Sequence, residues 1–295
     1  MNILTVLSFI VSHPLNKAQR LRAVGRFLRW QFGSRLLPFP MALPFVDRLQ
    51  LVVERGMTGA TGNYYCGLHE AEDMGFVLHF LRPGDVFYDI GANIGSYTLL
   101  AASAGVTSII SFEPSTSTVA KLVRNISLND LAKIIAVHQV ALGAEAGEAR
   151  FSLEADTTNH VIANNEAPSS FERVPLCRFD EFYSPGSPSF IKMDVEGFEA
   201  QVLAGASAAL SDPALLGLLV EDNGSDRRYG KGASVSATVL AHGFSAFNYD
   251  PLTRVLRTAD TASRQGGNIL FLKDADDARK RVVSAHKFRL VNGWI

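Results

Sequence analysis

The chain has 295 residues, 47% of them hydrophobic, enough for a core larger than one small domain needs. Its 28 basic and 29 acidic side chains nearly cancel, so no overall field favours nucleic acid and no acidic excess marks a disordered protein. Cys66 and Cys177 lie far apart with no partners at metal-binding spacing. A disulfide scaffold and a cysteine-based zinc site are therefore not expected, and a reducing cytoplasm is the expected location.

Residues 3–11 are largely apolar but too few to span a bilayer. No basic residue precedes them and no cleavage-site pattern follows, so they do not read as a signal peptide. Lys17, Arg20, Arg22, Arg26, Arg29 and Arg35 come next, with Leu21, Val24 and Leu28 at helical spacing, and Asp47 is the only acidic residue before position 50. A basic amphipathic region over residues 1–45 can lie peripherally on an anionic inner membrane surface, or pack on the main domain with its charges in water. Pro38, Pro40 and Pro44 close it. Residues 46–85 predict a β/helix lead-in. It has a strand at 49–53, a turn region punctuated by Gly56, Gly59 and Gly62, and a helix over 69–81 stopped by Pro83-Gly84.

From residue 86 strands and helices alternate, with strands at 86–90, 108–112 and 134–140 and helices at 96–103 and 116–128. Apolar runs of this length between amphipathic helices predict a parallel sheet covered on both faces. Right-handed crossovers make it a doubly wound α/β fold. Residues 141–185 break the rhythm and read as an insertion, with a hairpin-like turn at Gly143 and Gly147, a polar loop at 156–170 and a short strand at 174–177. The alternation resumes with strands at 190–194 and 215–221, helices from about 198 and at 235–241, and strands at 244–249 and 268–272. Residues 274–295 read as a basic surface tail.

The stretch Asp89-Ile90-Gly91-Ala92-Asn93-Ile94-Gly95-Ser96 joins a strand end to a helix start, where open α/β sheets bind ligands. Asn93 and Ser96 stand where a dinucleotide fingerprint needs its second and third glycines, which disfavours a pyrophosphate cradle. Glu113 ends the next strand, where a carboxylate can accept both ribose hydroxyls of a nucleoside, and Pro114 suits the first turn of the following helix. Asp89 would face a positive group, so a ligand with an ammonium, a ribose and no phosphate suits this pair. The plainer alternatives are a tight turn of structural purpose and an acidic residue stabilising a helix N-terminus.

Three further segments join this loop: Phe112-Glu113-Pro114; Ile191-Lys192-Met193-Asp194-Val195-Glu196-Gly197, continuing through Glu199 and Val202-Leu203 to Gly205; and Gly267-Asn268-Ile269-Leu270-Phe271. Together they resemble class I S-adenosylmethionine-dependent methyltransferases, and more narrowly the FkbM-type family, over about residues 86–273. The resemblance implies a Rossmann-like sheet, mostly parallel with an antiparallel last strand, behind an N-terminal helical/β extension. It implies S-adenosyl-L-methionine as cofactor, and O-methylation of a sugar or glycan, a glycolipid or a natural product. By the same resemblance Asp89, Gly91 and Gly95, with Asn93 between the glycines, hold the methionine part. Glu113, with Pro114 beside it, binds the ribose, Ala141 and Leu142 lie by the adenine, and Asp194 faces the methionine end and the acceptor.

Methyl transfer to an alcohol needs positioning and a group to take the hydroxyl proton. Strand alternation puts Lys192, Asp194 and Glu196 on one side, where the two carboxylates can orient a hydroxyl and Lys192 can set their charge. The plainer reading is a lysine–carboxylate pair with Glu196 and Glu199 opening a helix. His160, in the insertion, is a candidate base or a solvated loop histidine. Glu221, beside Asp222-Asn223, could join Asp194 around a divalent cation, but substrate contact or a buried hydrogen bond explains it better, and no metal is expected. Asn125-Ile126-Ser127 and Asn223-Gly224-Ser225 match the glycosylation sequon and read as chance. Two competing functions are a nicotinamide-dependent oxidoreductase, against which the broken fingerprint argues, and a non-catalytic module docking on membranes or a partner through residues 1–45. No nucleic-acid partner is expected.

Overall fold

A computed structural model describes residues 3–37, 39–153, 159–163, 166, 169–222, 234–260 and 267–295. The chain opens with helices α1 (Ile3–Ser12) and α2 (Arg20–Leu36), a hairpin of β1 (Met41–Pro44) and β2 (Gln50–Val53), and helices α3 (Thr58–Cys66) and α4 (Ala71–Phe80). The alternating part follows as β3 (Val86–Ile90), α5 (Ser96–Ser103), β4 (Ser108–Phe112), α6 (Thr116–Leu128) and β5 (Ile135–His138). A separate small sheet is built from β6 (Ala141–Leu142), β7 (Gly147–Ser152) and β8 (Phe171–Cys177). Then come β9 (Ser189–Met193), α7 (Glu199–Ala204), α8 (Ser207–Ser211), β10 (Leu215–Glu221), α9 (Val235–Ala241), β11 (Ser245–Asp250), β12 (Val255–Thr258) and β13 (Asn268–Leu272). Helix α10 (Ala275–Ser284) and a hairpin of β14 (Arg289–Leu290) and β15 (Gly293–Trp294) complete it.

The main sheet has the order β12-β11-β13-β10-β9-β3-β4-β5. From β5 to β10 every pairing is parallel, and β13 runs antiparallel to both β10 and β11. This is the doubly wound, mostly parallel sheet with an antiparallel last strand that the sequence predicts. Alternation along β3 sends Phe87 into a layer with α4, α5 and α6, and Val86, Tyr88 and Ile90 into a layer with α7, α8 and α9. The chain leaves β3 toward one face and β9, its neighbour, toward the other. Their carboxyl ends therefore diverge and open a crevice.

The structure departs from expectation at four places. The glycine-rich turn region is helix α3. There the His69 ring occupies the space of a Gly62 side chain, its Nδ1 only 2.1 Å from where a Cβ would stand, so close packing overrides glycine's weak helix propensity. The expected basic tail is instead the docked helix α10. It buries Ala278 and Val282, and its Arg281 pairs with Asp85 at 2.7 Å over the Phe80 ring. Strand β12 extends the sheet at an edge where no strand was expected. Finally, α2 packs through Ala23, Phe27, Trp30 and Ser34, while Leu21 and Leu28 of the expected face point to solvent.

Candidate active site

The loop after β3 is set by backbone contacts. The N–H groups of Gly91 and Ala92 donate to the Phe112 carbonyl, and the Asp194 N–H donates to Ile90 at 3.0 Å. Gly91 has φ +75°, and a Cβ there would stand 1.8 Å from the Asp194 carbonyl oxygen. The loops leaving β3 and β9 thus touch backbone to backbone, which only glycine permits. Asn93 adopts φ +50°, a conformation its residue type tolerates, and its N–H donates to Glu113 Oε2 at 3.0 Å. The Ser115 N–H donates to Oε1 of the same carboxylate, also at 3.0 Å. Burial pushes Glu113 up to about 7, against the pull of these two bonds.

A cavity of about 320 Å³ opens over this loop. Gly91, Asn93, Glu113 and Pro114 form one wall, Ala141 and Leu142 from β6 a second, and Lys192, Asp194, Glu196 and Glu221 a third. Asp89 and Gly95 lie outside the lining. Asp89 is fully buried; its Oδ2 accepts from Thr98 Oγ1 at 2.6 Å, and its Oδ1 has no hydrogen-bond partner among the described residues. Gly95, at φ +93°, caps α5 with Leu122 packed where a side chain would be. His160 does not line the cavity either, although Asn159 and Val161 do; its Nε2 sits 3.1 Å from Glu166 Oε2. Asn223 lies outside the described residues, and Asp222 accepts from Ser236 Oγ at 3.1 Å.

The third wall carries the charge. Lys192 is 4% exposed, with Nζ 3.1 Å from Asp194 Oδ2 and 5.1 Å from the centre of the Tyr97 ring. Burial alone would lower its pKa, but Asp194, Asp89 and Glu70 outweigh burial and raise it. The strand alternation expected of 192, 194 and 196 ends at Met193. Glu196 takes φ +56°, in a turn tied by Glu199, whose carboxylate accepts from the Val195 and Gly197 N–H groups. One carboxylate oxygen each from Asp194, Glu196 and Glu221 lies within 4.8 Å of the others, a concentration of negative charge at one corner of the cavity. Burial, then Asp194, Glu196 and Glu199, push Glu221 up to about 8.

Sequence reading passed over the wall that α3 and the start of α4 provide. Asn63, His69, Glu70 and Tyr97 all line the cavity. Asn63 Oδ1 accepts the His69 N–H at 2.7 Å, and Tyr97 donates its hydroxyl to Glu70 at 2.6 Å. Asn268, at the start of β13, donates to Asp73 at 2.9 Å and to Glu70 at 3.5 Å. Burial lowers the pKa of His69 and so favours its neutral imidazole. None of these contacts has a local spacing signature; Tyr97 alone adjoins the glycine loop.

Residues 89–237, half of the chain, match the Methyltransferase FkbM domain. This chain belongs to the FkbM methyltransferase family. The methyltransferase is similar to the hexuronic acid methyltransferase AglP of Haloferax volcanii, with 26% identity over 148 residues, 48% of this chain and 58% of that protein. It therefore spans little more than half of that relative's length. Similar solved structures include methyltransferase FkbM from Methylobacillus flagellatus KT, at 18% identity and a TM-score of 0.44, covering 72% of this chain and 52% of that one. Another is a precorrin-6y C5,15-methyltransferase from Geobacter metallireducens GS-15, at 11% identity and a TM-score of 0.39, covering 74% and 90%. The methyl donor is S-adenosylmethionine. Among the described residues, no helix of the methyltransferase is long and apolar enough to cross a membrane.

Proposed function

We propose that this methyltransferase acts on oxygen, methylating a hydroxyl of a sugar, whether in a glycan, a glycolipid or a glycosylated natural product. The observation that carries this reading is the carboxylate cluster of Asp194, Glu196 and Glu221 beside buried Lys192, facing the cavity. The similarity to a hexuronic acid methyltransferase supports a sugar acceptor. The cavity suits the donor on two counts. Two backbone N–H groups hold the Glu113 carboxylate with lone pairs left for ribose hydroxyls. The bare backbone of Gly91 lets the loops after β3 and β9 meet, which sets Asn93 and Asp194 side by side in the cavity wall. In this reading Gly91, Asn93 and Asp194 flank the methionine end, with Asp89 and Gly95 shaping the loop from behind, and Ala141 and Leu142 flank the adenine.

When bound, S-adenosylmethionine supplies an electrophilic methyl group. The chain's own task is to orient the hydroxyl and accept its proton as the C–O bond forms. Asp194, fixed by Lys192, orients the hydroxyl. Glu221, raised to about 8, is a stronger base than an ordinary carboxylate and takes the proton. Glu221 must be ionised for this, so kcat/KM is expected to rise with pH and level off above about 8. Glu221→Gln is expected to lose that ascending limb and about 10²–10⁴-fold in rate. An unchanged pH profile in the variant removes Glu221 from the proton-accepting role.

A further inference from the structure

The N-terminal helix α2 carries apolar residues on two sides. One side, Ala23, Phe27 and Trp30, is buried against the rest of the fold. The other bears Leu21, Leu28, Phe32 and Leu36, one helical stripe in which Leu21 is 89%, Phe32 67% and Leu36 80% exposed. Exposed Leu37 and Phe39 prolong it past the helix end. Isolated surface leucines need no explanation, but an apolar row along one helix does. Arg20, Arg22, Arg29 and Arg35 are also exposed on this helix, and no ion pair to any of them exists among the described residues. Arg26 is the contrast: it turns inward and donates to the Tyr65 carbonyl at 2.7 Å. No acidic residue precedes Asp47 in the sequence, and Glu54, beside Leu37 and Phe39, is paired with Arg124 at 2.9 Å.

We infer that the outer face of α2 docks the protein on an anionic lipid surface. Both components of the face fit that partner: the apolar stripe enters the headgroup–acyl boundary, and arginines at its edge reach lipid phosphates while their stems lie along apolar surface. A second copy of this chain fits poorly. Face-to-face pairing sets arginine rows against each other, and like charges brought together oppose association. The face also sits close to the chemistry. α2 rests on α3, with Phe27 and Tyr65 in edge contact at 5.4 Å, and Thr58, Gly59, Ala60 and Asn63 of α3 line the cavity. Docking therefore holds the cavity one helix away from the headgroups. The inference stands independently of the acceptor proposed above.

The test is co-sedimentation of the full chain with vesicles of phosphatidylcholine alone and of phosphatidylcholine with phosphatidylglycerol. Binding is expected to the anionic vesicles only and to weaken as salt rises. Arg22→Gln, Arg29→Gln and Arg35→Gln combined are expected to weaken partitioning about a hundredfold. Leu21→Asp with Phe32→Asp is expected to abolish it. All of these side chains are exposed, so unchanged thermal melting and unchanged S-adenosylhomocysteine binding verify that the variants fold. Equal binding to neutral and anionic vesicles, no binding to either, or a dimer that Phe32→Asp dissolves overturns the inference.

Discussion

Gly91→Ala is expected to lower both methyl transfer and stability, and to do so more than a change at any other glycine of the loop. An alanine must hold φ +75° and place its Cβ 1.8 Å from the Asp194 carbonyl oxygen. Neither backbone can yield cheaply, because Gly91 N–H is bonded to Phe112 and Asp194 N–H to Ile90, each at 3.0 Å. The left-handed conformation alone costs about 1–2 kcal/mol in a non-glycine residue, and the contact adds to it. Since Asp194 lies in the cavity wall, relief by moving its loop disturbs the chemistry. A displacement of about 1 Å is enough for about a 10²-fold loss of rate. Gly95→Ala, strained by its φ of +93° as well, is the milder control, because the nearest atom its Cβ meets is the side-chain tip of Leu122 rather than backbone. A labelled-methyl transfer assay and a thermal melt measure both effects, and calorimetric titration with S-adenosylhomocysteine reads the affinity of the altered loop. Wild-type affinity and Tm in Gly91→Ala would contradict the tight backbone contact.

Lys192→Met is expected to cost about 3–5 kcal/mol of stability, the usual result of leaving buried carboxylates without their counter-charge. Lys192 faces Asp194 directly and also stabilises the charge of fully buried Asp89. Burial raises the pKa of Asp89, and Lys192 is the main force opposing that rise, so the variant lets it climb further. The sign follows from linkage. A carboxyl whose folded pKa lies above its unfolded value contributes most stability below the unfolded value and loses it as pH rises through the folded one. Lys192→Met is therefore expected to show a larger deficit at neutral pH than at acidic pH, where protonation relieves the buried charge. Urea unfolding at the two pH values measures this. An equal loss at both, or one under about 1 kcal/mol, would mean the lysine compensates no buried charge.

The sheet was largely legible because its central strands are nearly continuous apolar runs, which few other structures accommodate. The glycine loop and Glu113 were legible because their chemistry is local: a strand end, a turn that must take positive φ, and a carboxylate on the neighbouring strand. The cavity wall from α3 and the start of α4 was not. Asn63, His69 and Glu70 reach it from an extension outside the matched family segment, and the Gly62–His69 contact that builds this wall looks in sequence like an ordinary glycine turn. His160 misled for the opposite reason: a lone histidine suggests chemistry, while its partner Glu166 lies six residues away in the same loop. For α2 the helical period was legible but not the buried side, since 21/24/28 and 23/27/30 are both apolar series. Only tertiary packing decides between them.

The most direct test of hydroxyl methylation is to incubate the protein with methyl-labelled S-adenosylmethionine and glycans and lipids extracted from its host, then locate the label in the product by mass spectrometry. The account predicts the label as a methyl ether on a sugar oxygen. Label on nitrogen, carbon or sulfur would contradict it.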